Sequence, residues 1–69
     1  MTKIIEDKRA TQEEIEELYY LRMACDLSNS VTVFNALIQR HQEIAVSHGC
    51  PKLGLNDYYF IGVDGSINV

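Results

Sequence analysis

The chain has 69 residues and a net charge of −4, and 46% of its residues are hydrophobic. That apolar share excludes a disordered chain. Six scattered cations among ten acids exclude nucleic-acid binding by phosphate neutralisation. No stretch approaches the ~20 apolar residues of a membrane span, so no membrane partner is expected either.

A chain of this length buries only ~60% of the surface its unfolded form exposes. One domain, 1–69, is expected, with marginal stability of its own. It begins with an arm, 1–10, in which Ile4-Ile5 can serve as a third strand for a hairpin at the far end of the chain. Thr11-Gln12-Glu13-Glu14 reads as a capping box: the threonine hydroxyl accepts from the third amide on, and the glutamate reaches back. It opens helix one, 11–27. At ~100° per residue, Ile15, Leu18, Leu21 and Cys25 form one apolar stripe. Tyr19, Tyr20, Met23 and Leu27 form a second, turned well away. Arg22 and Asp26 lie between them, four apart, and can pair.

Ser28-Asn29-Ser30 competes with helix through side chain to backbone bonds and supplies a cap for the next one. So short a connection makes the two helices antiparallel. Helix two, 30–48, collects Val31, Phe34, Leu37, Ile38, His41, Ile44, Ala45 and His48 on one face. Gly49 and Pro51 end it. Leu53 and Leu55 are expected to tuck under the helices. Then Asp64-Gly65 sits between two β-prone runs and reads as a two-residue turn, making 58–69 a hairpin. In that register Tyr58, Phe60, Ile67 and Val69 share the face that packs on the helices. The expected fold is therefore α+β: an antiparallel helix pair followed by a C-terminal β-hairpin.

Both histidines fall on the apolar face of helix two, and Cys50 follows. The spacing HxxxxxxHxC is too loose for zinc, which favours tighter pairs and three or four ligands. An antiparallel hairpin would also hold Cys25 and Cys50 roughly 25–30 Å apart. Glu14, Glu17 or a tyrosine is placed to bond the His41 ring. No nucleotide, hydrolase or zinc-protease pattern is present, and no catalytic residue, metal ligand or cofactor is expected. The start MTKIIEDKRA lacks a leader pattern, and the two cysteines read as free thiols, so a cytoplasmic location is expected.

In each adjacent tyrosine pair, one ring should point inward and the other outward. Exposed tyrosine favours binding surfaces, and Tyr20 and Tyr59 are the outward candidates. Tyr19, Met23 and Leu27 join them, with Glu13, Glu16 and Glu17 as an acidic docking edge. The marginal size, the second stripe and the open-edged hairpin call for a homo-oligomer, with a dimer favoured. In size and composition the chain resembles the small accessory proteins of bacteriophages that act against host defence or transcription machinery. The function expected is a non-enzymatic, protein-binding one, as an acidic inhibitor or adaptor. The alternative is an oligomer binding a nucleotide or metabolite between subunits through His41, Tyr19 and Arg22.

Overall fold

A computed structural model describes residues 4–69; residues 1–3 of the arm lie outside the described residues. The elements run β1 (Ile4–Arg9), α1 (Gln12–Ser28), α2 (Val31–Ser47), β2 (Phe60–Ile61) and β3 (Ser66–Asn68). The three strands form one antiparallel sheet in the order β1-β3-β2. The arm does supply the third strand, with Ile5 opposite Ile67.

The helix ends follow local chemistry. Thr11 caps α1 with both halves of its capping box formed. Asn29 closes α1 in the left-handed region, φ 49°, where its short polar side chain is tolerated. Ser30 caps α2 by accepting from the Val33 amide. At the far end Gly49 takes φ 92°, and two bonds satisfy the last carbonyls: Cys50 N–H to Ala45 C=O at 3.1 Å, and Gly49 N–H to Val46 C=O at 2.9 Å. This is the Schellman arrangement that an αL glycine permits.

The hairpin departs from expectation by one residue. Ile61, not Gly62, stands opposite Ile67. Gly65 N–H donates to Gly62 C=O at 3.0 Å, and Gly62 N–H donates to Ser66 C=O at 2.8 Å. Gly65 has φ 87°, while Asp64 has no positive φ. The connection is a three-residue loop, Val63-Asp64-Gly65, ending in a bulge glycine, rather than a two-residue turn. Asp64 Oδ1 holds it by accepting from the Ser66 amide and hydroxyl. A one-residue slip inverts a strand's faces. Tyr59 and Ile61 therefore turn inward with Ile67, and Tyr58 and Phe60 stay exposed.

Leu18, Ile44, Ile61 and Ile67 are the largest fully buried side chains, and Leu37, Ala45, Cys50 and Tyr59 pack around them. Gly65 fits the sheet against α1, since a Cβ there would lie 3.0 Å from Ile15 Cδ1 and 3.1 Å from the Ala10 carbonyl oxygen. The sheet covers only part of the helix pair. Val31 and Phe34, on the expected buried face of α2, are exposed near the helix turn, as is Leu55 in the connecting loop.

Candidate functional site

The stretch that covers α2 is pinned by one side chain. Gln42 Oε1 accepts from the Tyr59 amide at 3.0 Å, and its Nε2 donates to the Tyr59 carbonyl at 3.1 Å. The side-chain amide thus imitates a neighbouring strand at the edge beside β2. Arg22 adds a second clamp by donating to the Ile61 carbonyl. Its expected partner along the helix, Asp26, is not among its bonds in the described residues. A part-buried carbonyl offers the guanidinium a charge-assisted bond, worth more than an exposed pair along a helix.

Two polar ties join the helices. Glu14 Oε1 accepts from the Thr11 amide and lies 2.7 Å from His48 Nε2, so the imidazole N–H donates to it. One carboxylate therefore completes the α1 cap and fastens it to the end of α2. Burial raises the Glu14 pKa, but the Thr11 and His48 bonds outweigh it and the net shift is downward. Glu17 pairs with Arg40 instead of a histidine. That bond lowers the Glu17 pKa and raises that of Arg40. Contrary to expectation, no bond from Glu14, Glu17 or a tyrosine to the His41 ring is found among the described residues. His41 is only 2% exposed, its Nε2 has no hydrogen-bond partner, and burial followed by the Arg22 charge lowers its pKa to about 4.

The expected contact residues divide by placement. Tyr59 is 3% exposed, and its hydroxyl donates to the Pro51 carbonyl. It belongs to the core, and Tyr58 is the outward ring of that pair. Glu17 is tied to Arg40. Glu13 and Glu16 are exposed, and so are Tyr20 at 67%, Met23 at 43% and Leu27 at 84%. These last five follow a 3-4-3-4 spacing, which lines them up as one ridge along the outer face of α1. Tyr19 flanks the ridge, its ring edge-on to Tyr20 at 5.7 Å. The ridge is acidic at the start of the helix and apolar at its end.

A separate open groove of about 720 Å³ runs between the second half of α2 and the loop before β2, with Val46, Leu53, Leu55 and Tyr58 among its lining. No sequence signal marks it, because a groove between a helix and an irregular loop has no period. Among the described residues, no three His, Cys, Asp or Glu side chains converge as a metal site. Both cysteines are free. No described helix is long and apolar enough to cross a membrane. Comparison with known proteins gives no matching family model, no matching curated protein and no matching solved structure.

Proposed function

We propose that this chain is a non-enzymatic protein-binding factor, a small inhibitor or adaptor, that docks through the outer ridge of α1. The observation carrying the reading is the exposure of Tyr20, Met23 and Leu27 on one helical stripe, continuous with exposed Glu13 and Glu16. A helix that enters a partner's groove presents anchors at this i, i+3, i+7 spacing. Tyrosine supplies much of the binding energy at such interfaces.

The order of residues along the ridge describes the partner. Its groove is apolar where it meets Tyr20, Met23 and Leu27, and basic where it meets Glu13 and Glu16. A second copy is a poor fit to the ridge. Parallel pairing sets the glutamates of each copy against those of the other, and antiparallel pairing sets glutamates against Leu27 and Met23. The ridge therefore calls for a different protein. An oligomer of the chain, if it forms, uses another face.

Photo-crosslinking tests this reading. A benzophenone side chain placed at Leu27 should trap one heterologous protein from the native host, while the same group at Val63 traps none of it. Equal trapping at both positions contradicts the reading.

A further inference from the structure

The Phe60 ring packs against two groups that can carry positive charge. The Arg22 guanidinium carbon is 5.6 Å from its ring centroid, and the His41 ring stands nearly perpendicular to it at 5.4 Å. These groups come from α1 and α2, and the ring comes from β2. His41 is almost fully buried, with Nε2 unpartnered. Buried polar nitrogens are normally bonded, so this one has hydrogen-bonding capacity to offer. Arg22 uses one of its five N–H groups on the Ile61 carbonyl, and no acid pairs with it among the described residues. Phe60 is 56% exposed. A side chain that exposed changes rotamer readily, and its neighbours Tyr59 and Ile61 stay fixed by Gln42 and Arg22.

We propose that Arg22 and His41 form a receptor for a carboxylate carried on an apolar group, reached when the Phe60 ring swings outward. One carboxylate oxygen accepts from the guanidinium, whose planar fork suits it, and the other accepts from the His41 Nε2–H. The neutral imidazole needs only to carry its proton on Nε2, so no net protonation is required. The space the ring vacates takes the apolar part of the ligand. A cation is disfavoured by the Arg22 charge. Arg22 is the charged group acting on His41, and β2 adds none. A bound carboxylate offsets that charge and makes His41 easier to protonate. The site is independent of the α1 ridge, because Arg22 lies about 160° around the helix from Tyr20. Either can fail without the other.

The test is a titration of the full chain with benzoate, following the imidazole resonances of His41 with His48 as the internal reference. Benzamide serves as the neutral isostere and inorganic phosphate as the competing anion. Benzoate should shift His41 saturably and raise its titration midpoint, and benzamide should do neither. Phe60→Ala should strengthen benzoate binding several-fold by removing the cover. Arg22→Lys keeps the charge and a donor for Ile61 but loses the fork, and should weaken binding about tenfold. The proposal is overturned if His41 ignores benzoate in both the wild type and Phe60→Ala. It is also overturned if benzamide acts as benzoate does, or if phosphate binds more tightly.

Discussion

Replacing Gln42 by alanine removes both bonds to Tyr59 and leaves a part-buried amide and carbonyl without their partner. Each such bond contributes a net ~1 kcal/mol, so the variant should lose about 2 kcal/mol. Unfolding entropy of about 2.1 cal/mol/K per residue amounts to roughly 0.145 kcal/mol/K over 69 residues. Dividing the loss by that entropy lowers Tm by about 14 °C. Thermal and urea melts followed by circular dichroism measure the change, and amide exchange at Tyr59 should quicken most because its own bond is lost. Gln42→Met keeps the length of the side chain and separates bonding from packing. It should cost about as much as alanine. A loss below about 0.5 kcal/mol for alanine, or wild-type stability for methionine, would refute the claim that this amide holds the edge of the sheet.

His41 makes stability depend on pH. Its folded pKa of about 4 lies below the ordinary imidazole value of 6.5, so between those values the unfolded chain binds more protons and stability falls with falling pH. The loss should approach about 3 kcal/mol at the acid end, and urea melts of His41→Phe should show a flatter profile from pH 6.5 to 4. Glu14 and Glu17, whose folded pKa values are lowered, act in a different window. Their contribution is present above about pH 4.5 and is lost as pH falls through the folded values, so the His41 variant should retain this later loss. Gly65→Ala meets Ile15 and the Ala10 carbonyl at a positive φ and should cost more than about 1 kcal/mol in the same melts. Leu27→Ala and Tyr20→Ala should leave stability within about 0.5 kcal/mol of wild type, since neither side chain joins the core.

The helices were legible because their ends are marked by chemistry that acts within a few residues: the Thr11 box, Ser30 and Gly49. The ridge was legible as the second stripe of α1, since a 17-residue helix fixes the faces of its residues. The hairpin register was not. A two-residue turn at Asp64-Gly65 and a three-residue loop ending in Gly65 place glycine at the same position, and only pairing decides between them. That one residue reversed Tyr58 and Tyr59 and moved Phe60 outward. Arg22 and His48 were also hidden, because their bonds to Ile61 and Glu14 cross 39 and 34 residues of chain. Arg22 and His41 were already paired as ligand groups in the alternative reading, but nothing in the sequence put Phe60 against both of them within one chain.

Docking through the α1 ridge is put to the test by a quantitative pull-down. The wild type, Tyr20→Ala/Leu27→Ala, and a Leu55→Ala/Val63→Ala control on exposed positions elsewhere are compared as bait in native host extract. Each interface anchor is worth about 2 kcal/mol, so losing two of them should weaken partner capture by a factor of roughly 1,000. The control should keep the partner, and all three should melt alike. Undiminished capture by a folded ridge variant would contradict the account.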